Sequence, residues 1–224
     1  MLTSCKKKTE DATSVLGLDY YPTKLGKFVI YDVDSTVYND LTLDTVRYKY
    51  RIKEKLVESF TDNEGRPAIR LERFIKMYNP NKLYDSIPYT IKEVWMVNAD
   101  DKKIQVAESN IRFTKMIFPV ALNVIWNGNA NNNLGELMYA YFIIDKAETI
   151  NGNALSKVLT VKQRDERTLI SVHYNIEKYS KGIGLVYREI KDIYSNTVVA
   201  NIPVEQRIEK GFIYKQTLVS YGNE

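Results

Sequence analysis

The fold is decided most clearly by residues 45–52, which read Thr45-Val46-Arg47-Tyr48-Lys49-Tyr50-Arg51-Ile52. Apolar and basic side chains alternate along this stretch. In a β-strand the two sets lie on opposite faces, whereas a helix rotates about 200° in two steps and would scatter the apolar set. The stretch therefore predicts a half-buried β-strand.

The same alternation recurs on both sides of this strand. Further strands are predicted at 28–38, 68–76, 90–98, 103–108, 111–118, 138–144, 155–163, 169–176 and 206–221, and the run 179–186 leads into a long strand that continues through Tyr194. Polar turns separate them, and the total of about eleven or twelve short strands indicates an all-β protein, an antiparallel meander forming a half-barrel or barrel-like sheet. At most one or two short helices are expected, and the candidates are 53–59 and 175–181.

Composition restricts the partners that the chain can have. Its 224 residues include 32 basic and 28 acidic side chains, and three of the basic ones are Lys6, Lys7 and Lys8. The remainder is nearly neutral, which argues against nucleic acid, since binding it needs a clustered basic face. A chain of this length is long enough for one core, so a single β domain is expected over residues 18–224.

Cys5 is the only cysteine, so no disulfide and no cysteine-based metal cluster forms within the chain. The quartet Leu2-Thr3-Ser4-Cys5 is similar to the lipobox of bacterial lipoproteins, in which an apolar and two small residues precede an acylated cysteine. The resemblance implies that residues 1–4 are the remnant of a signal peptide and that Cys5 carries the lipid, such as palmitate. Residues 5–17 are then a flexible tether, because they are mostly small and polar. The alternative is a cytosolic protein with a chance cysteine.

The lysines after Cys5 bear on the orientation of the anchor. Surface-displayed lipoproteins of the Bacteroidota tend to carry acidic residues at this place, so by resemblance Lys6–Lys8 favour an anchor in the outer membrane that faces the periplasm. Lysines at a membrane surface also attract anionic headgroups by about 1 kcal/mol each. The expected location is therefore the bacterial cell envelope.

Several internal stretches carry a second resemblance. Residues 20–36, 60–66 and 118–129 resemble stretches in a group of uncharacterised lipoproteins of the Bacteroidota. Residues 179–186 are similar to a segment of periplasmic half-barrels related to lipoprotein carriers. The Bacteroidota group commonly has Trp before the first strand, where this chain has Phe28. The resemblance implies a location and a fold but no reaction.

The sequence predicts no catalytic, cofactor-binding or metal-ligating residue. His173 is the only histidine and lies within a predicted strand, without a G-x-S-x-G turn to supply a nucleophile. Asp32 and Asp34 share one strand face and lack the spacing of a calcium loop, so a solvated face is the better interpretation. Gly182-Ile183-Gly184 lacks the context of a phosphate loop and is interpreted as a turn.

One internal stretch is a candidate for binding. Residues 126–136 combine a tryptophan with five asparagines and two glycines, which predicts a long loop able to adopt positive φ. An indole beside amide side chains suits contacts to a sugar or a peptide, and the same residues also suit an ordinary turn. The candidate contact residues are Trp126, Asn127, Asn129 and Asn131.

Three functions follow from these features. The first is a non-enzymatic, membrane-anchored envelope lipoprotein that binds a partner protein, an apolar ligand or a glycan on its sheet. The second is an accessory subunit of a larger envelope assembly. The third is an envelope polysaccharide hydrolase, which needs two carboxylates within about 10 Å in a cleft; the sequence nominates no such pair.

Overall fold

The computed structural model describes residues 12–42 and 44–224. One short α-helix, α1 (Ala12–Leu16), and three single 3-10 turns accompany twelve strands. The strands are β1 (Lys27–Tyr38), β2 (Thr45–Thr61), β3 (Pro67–Met77), β4 (Thr90–Ala99), β5 (Lys103–Glu108), β6 (Ile111–Ile117), β7 (Ile125–Asn127), β8 (Met138–Ile150), β9 (Asn153–Arg167), β10 (Ser171–Ser180), β11 (Gly184–Tyr194) and β12 (Lys210–Asn223). The all-β prediction is confirmed.

All twelve strands belong to one sheet whose order is β6-β5-β4-β3-β2-β1-β12-β11-β10-β9-β8-β7. Every neighbouring pair is antiparallel, and the first and last strands pair with each other in the middle of the sheet. The outermost strands, β6 and β7, are consecutive in the chain. The sheet therefore curls into a nearly closed barrel-like form, with a seam where these two strands meet.

Residues 45–52 form a strand, as predicted, but β2 runs on to Thr61. The two helix candidates were wrong, because 53–59 lies within β2 and 175–181 lies largely within β10. Glu54 explains the first error. It stands between Ile52 and Leu56 on the apolar face of β2, so a charge interrupts the hydrophobic pattern while the strand continues.

The inner face of the sheet holds the core. The largest fully buried side chains include Tyr31, Ile52, Met116, Leu159, Tyr179 and Leu218. Near the end of the sheet where β1 begins, a small cavity between Leu56, Leu71 and Leu185 has a volume of about 50 Å³. The interior is therefore packed with side chains in the manner of a globular core.

The two ends of the sheet differ. The N-terminal end is covered by α1 and the 3-10 turn Leu18–Tyr20, where the amide of Gly182 donates to the carbonyl of Asp19 at 2.8 Å and Val120 donates to Leu16 at 3.0 Å. The opposite end, called the distal end below, carries the connections β1–β2, β3–β4, β9–β10 and β11–β12. Within the described residues, no helix has both the length and the apolar composition needed to cross a membrane.

Candidate functional site

The predicted contact residue Trp126 lies at the seam between β6 and β7. Its side chain is buried, its indole Nε1 donates to the carbonyl of Thr114 at 2.8 Å, and its ring packs on Tyr139 and Tyr141 at centroid distances of 5.9 and 4.7 Å. The amide of Thr114 in turn donates to the carbonyl of Gly128 at 2.8 Å. Trp126 thus joins the two open edges of the sheet.

The asparagines after Trp126 stabilise the loop that completes this seam. Asn127 Oδ1 accepts from the amide of Asn129 at 2.9 Å, and Asn129 Nδ2 donates to the carbonyl of Gly135 at 2.9 Å. Asn131 Oδ1 accepts from Gln105 Nε2 at 2.7 Å. Asn132, which the sequence analysis did not single out, donates to the carbonyl of Arg112 on β6 at 2.8 Å. Side-chain amides therefore satisfy edge groups that a thirteenth strand would otherwise pair. Ligand contact by these residues stays a prediction.

The loop also approaches the core closely at Gly128. A Cβ added there would lie 2.3 Å from the ring of Tyr139. Only glycine leaves space for the ring, because any side chain would overlap it. The asparagines and Gly128 of residues 126–136 thus have a structural role, because they close the seam.

The predicted lipid anchor lies outside the described residues. This applies to Cys5, to Lys6–Lys8 and to the tether as far as residue 11. The last part of that predicted tether forms α1, and the carbonyl of Leu16 accepts a hydrogen bond from Val120 at the N-terminal end. The chain therefore enters the fold at that end.

Asp32 and Asp34 each bind one arginine of β2 on the outer face of the sheet. Arg51 reaches Asp32 with two hydrogen bonds of 2.7 and 3.0 Å, and Arg47 binds Asp34 with Nε and Nη2. The hydrogen bond and charge of Arg47 lower the pKa of Asp34. Both aspartates remain partly exposed, at 44% and 38% of the side chain. They are paired acceptors on a solvated face.

His173 lies on the inner face of β10, opposite Asp192 on β11. Its Nδ1 is 2.9 Å from Asp192 Oδ1, although neither atom makes a hydrogen bond, and the ring packs edge-on against Tyr194 at 5.0 Å. In the part of the chain that the structure describes, no group of three or more His, Cys, Asp or Glu side chains is placed to hold a metal ion.

A charged network occupies the middle of the interior. Glu177, only 1% exposed, is 2.6 Å from Arg188 Nη2 and 3.1 Å from Lys115 Nζ. The hydroxyl of Tyr179 donates to its second oxygen at 2.5 Å. Glu108 contacts the same two cations, at 2.7 Å from Lys115 and 3.3 Å from Arg188. Two anions and two cations thus neutralise each other away from water.

The protonation states of this network follow from its geometry. Burial would raise the pKa of Glu177, but the charges of Arg188 and Lys115 overcome it and lower this pKa to about 2. Burial and the neighbouring Glu177 carboxylate raise the pKa of Tyr179, so its hydroxyl keeps the proton that it donates. The network is therefore fully ionised at neutral pH.

A second buried cation lies in the other half of the sheet. Arg73, on β3, is 2.8 Å from Glu54 Oε1 and also binds Glu93 on β4. Its guanidinium lies over the ring of Trp95, 3.7 Å from the centroid. Together with the Glu177 network, this cluster fills the middle of the interior with charged side chains, which leaves little apolar space for a lipid-like ligand there.

The exposed aliphatic side chains at the distal end form a further surface. Each of the four connections named above carries at least one of them, and we call the set the distal rim: Leu41, Leu83, Leu169, Ile170, Val198, Val199 and Ile202. Leu41 is 90% exposed, Leu83 81% and Leu169 73%. The apolar surface continues onto the inner face of the adjoining strands through Val37, Val46, Tyr48 and Met77.

Polar contacts hold parts of the rim together. Arg207, in the β11–β12 connection, donates to the carbonyl of Leu169 at 2.6 Å and to that of Ile202 at 3.0 Å. Lys210 pairs with Asp40 of the β1–β2 connection at 3.5 Å. These contacts link the β11–β12 connection to the β9–β10 and β1–β2 connections of the rim.

Sequence reasoning missed the network and the rim, although each left a signal. Charged residues such as Glu54 at apolar-face positions of strands were visible. Aliphatic side chains at the centre of polar connections were visible too, as in Leu41 and Leu83. The sequence could not predict which charged residues pair within the network, because partners such as Lys115 and Glu177 are 62 residues apart in the chain.

Comparisons with known proteins concern the fold alone. No family model matches the chain, and no curated protein matches it. A solved structure of a predicted lipoprotein from Parabacteroides distasonis has a TM-score of 0.45 and 11% identity, covering 91% of this chain and 98% of that one. A predicted exported protein with a YmcC-like fold from Bacteroides fragilis has the same TM-score and coverage, and 7% identity. At this similarity neither assigns a ligand or an activity.

Proposed function

We propose that this protein is a non-enzymatic envelope lipoprotein, anchored through Cys5, that binds a partner protein through its distal rim. The observation that carries the proposal is the placement of the two ends. The described chain enters at the N-terminal end, while the rim lies at the opposite end of strands such as Lys27–Tyr38. An anchor at one end leaves the other free for a partner.

The tether supports this orientation. Residues 5–11 span at most about 25 Å when fully extended, and α1 follows them at once. A twelve-residue strand such as β1 is about 40 Å long. With the N-terminal end held at an outer-membrane surface, the rim points into the periplasm, away from the lipids of the anchoring leaflet.

The rim also has the chemistry of a protein interface. Single exposed aliphatic side chains are common, but here neighbouring connections of the sheet each present at least one, and grouped exposed apolar side chains mark interaction sites. The charged side chains buried in the middle of the interior argue against carrying an apolar ligand inside the sheet. The same rim suits an accessory subunit of a larger assembly, in which case the partner is stoichiometric.

The anchor is tested on the chain expressed from its own gene. We expect the native protein in the membrane fraction, with an N-terminal mass that includes acyl chains on Cys5. The variant Cys5→Ser should lose the acyl mass and move to the soluble fraction. An unmodified Cys5 in a membrane-associated native protein would contradict the anchor without touching the rim.

The rim is tested by crosslinking intact cells and purifying the protein from their membranes. The double variant Leu41→Ser/Leu83→Ser should lose a stoichiometric partner that the native protein retains, at unchanged thermal stability. Leu25→Ser/Leu122→Ser is the matched control, because both leucines are exposed, at 43% and 59%, and lie at the N-terminal end. Equal loss in both variants, or in neither, would reject the rim as the interface.

A further inference from the structure

A groove crosses the outer face of the sheet, on the opposite side from the packed interior. Its floor is formed by β1, β2 and β12, through Asp32, Asp34, Lys49, Lys215 and Thr217. Tyr78 and Tyr84 form one wall, and Asn151, at the tip of the β8–β9 hairpin, forms the other. Its volume of about 480 Å³ lies within the range of small-molecule sites, roughly 300–1,000 Å³.

Within the aromatic wall, Arg51 holds the ring of Tyr84 in place, and Tyr78 packs against that ring. The rings of Tyr78 and Tyr84 lie 5.9 Å apart and are tilted by 50°. The guanidinium of Arg51 lies 4.5 Å from the centroid of Tyr84, and Arg51 is itself fixed by its two bonds to Asp32. Tyr78 remains 52% exposed. A fixed tyrosine offers an apolar ring face beside a polar hydroxyl, which matches a sugar ring with its C–H face and hydroxylated edge.

The opposite wall is fixed as well. Asn151 Nδ2 donates to the carbonyl of Leu218 at 3.0 Å, and Asn153 donates to the carbonyl of Val219 at 3.4 Å. On the hairpin behind the tip, Glu148 pairs with Lys178 at 2.5 Å. The groove is therefore preformed on both sides, which lowers the entropic cost of binding.

The charge of the floor favours an anionic ligand. Arg47 and Arg51 neutralise Asp34 and Asp32, so these four contribute no net charge. The ammonium group of Lys49 makes no hydrogen bond or close ion pair to any described residue, and Lys215 has one long contact, 3.7 Å to Glu189. Both lysines flank Asp34 on the neighbouring strands, where their charges help to lower its pKa. Because Asp34 is already paired with Arg47, the two lysines leave the floor of the groove with a net positive charge, while the exposed aspartate oxygens can accept hydrogen bonds from hydroxyls.

We propose that this groove binds a short acidic saccharide, a carbohydrate that carries carboxylate groups. The sugar rings stack on Tyr78 and Tyr84, the hydroxyls bond to Asp32, Asp34 and Asn151, and the carboxylates pair with Lys49 and Lys215. The floor of the groove lies on the outer strand faces, and its aromatic wall belongs to the β3–β4 connection, which also carries Leu83 of the distal rim. The proposal does not depend on acylation of Cys5 or on the partner protein.

The test measures binding to the full purified chain by calorimetry with matched probes. Tri-galacturonic acid should bind, and its methyl ester, which has the same rings without the charge, should bind at least tenfold more weakly, or about 1.4 kcal/mol. Lys49→Ala/Lys215→Ala should weaken binding of the acid at least tenfold, and Tyr78→Ala should weaken both probes. The controls are Lys102→Ala/Lys146→Ala and Tyr221→Ala, which change exposed residues outside the groove.

Several outcomes would overturn the proposal. No binding of the acid, equal affinity for acid and ester, or groove variants that match their controls would each reject it. Equal competition by inorganic phosphate would reduce the site to a nonspecific anion contact. Tighter binding of a short single-stranded thymidine oligonucleotide would show that the tyrosines and lysines serve nucleic acid instead. Circular dichroism and thermal melting confirm that each variant is folded.

Discussion

Acidic and basic side chains pair on both faces of this sheet, but the pairs have different roles on the two faces. Inside, Arg188 and Lys115 surround Glu177, which is 1% exposed. Outside, Arg47 binds Asp34 in a pair whose side chains are 58% and 38% exposed. Burial, and not residue type, separates a contact on which the fold depends from one that a ligand can use.

The energies of the two sets differ for a physical reason. An exposed ion pair is worth about 0–1 kcal/mol, because water and salt screen it. Removing one partner of a buried pair leaves an uncompensated charge and costs about 3–5 kcal/mol. The comparison therefore predicts a large gap in stability between matched substitutions on the two faces.

The largest effect is expected for Glu177→Gln. The neutral amide leaves Lys115 and Arg188 with only Glu108 as an anion, so we expect a loss of about 3–5 kcal/mol in the free energy of unfolding. Urea unfolding of the purified chain measures it.

A second substitution separates charge from packing. Adding Lys115→Met to Glu177→Gln restores a balance of one cation and one anion, so the double variant should be more stable than the single one. Equal stability of the two would show that lost hydrogen bonds or shape, and not net charge, cause the effect.

The pH dependence of stability also tests the contribution of the buried Glu177 charge. The pKa of Glu177 is lowered from 4.5 to about 2 in the folded chain, so the unfolded state binds this proton first as the pH falls. The stabilisation is complete above the unfolded pKa and is lost as the pH falls toward the folded one. The stability gap between native protein and Glu177→Gln should shrink from about pH 6 to about pH 3 in urea titrations. A constant gap would assign the acid sensitivity to other carboxylates.

The fold was largely predictable because its signals are local. Alternation at residues 45–52 and turn chemistry between the strands depend on neighbours in the chain. The length of β2 was underestimated because Glu54 faces inward, and a charge on the apolar face looks like the end of a strand until Arg73 is known to lie beside it.

The candidate site was less predictable for the converse reason. The groove joins Asp32 to Tyr78 and Asn151, which only the folded sheet brings together. The Asn-rich stretch was conspicuous by composition, and its amides are used to close the seam. The unusual composition therefore marked a loop whose backbone needs many side-chain hydrogen bonds. The groove is lined by common strand and loop residues, so composition did not reveal it.

An intermediate effect is expected at the seam. Trp126→Phe removes the indole donor and leaves the buried carbonyl of Thr114 without its bond, which should cost about 1–3 kcal/mol. Asn133→Ala is the control, because Asn133 is exposed in the same loop and should matter less. Thermal unfolding compares the two, and equal losses would show that the loop as a whole, and not the Trp126 bond, closes the sheet.

The smallest effect on stability is expected for Asp34→Asn on the outer face. The pair with Arg47 is exposed, so the free energy of unfolding should change by less than about 0.5 kcal/mol. The substitution also adds positive charge to the groove, so an acidic saccharide should bind somewhat more tightly while Glu177→Gln leaves that affinity unchanged. Measuring stability and affinity for both variants therefore tests the two faces against each other. If Asp34→Asn destabilises the protein as much as Glu177→Gln does, exposure does not decide what these ion pairs do.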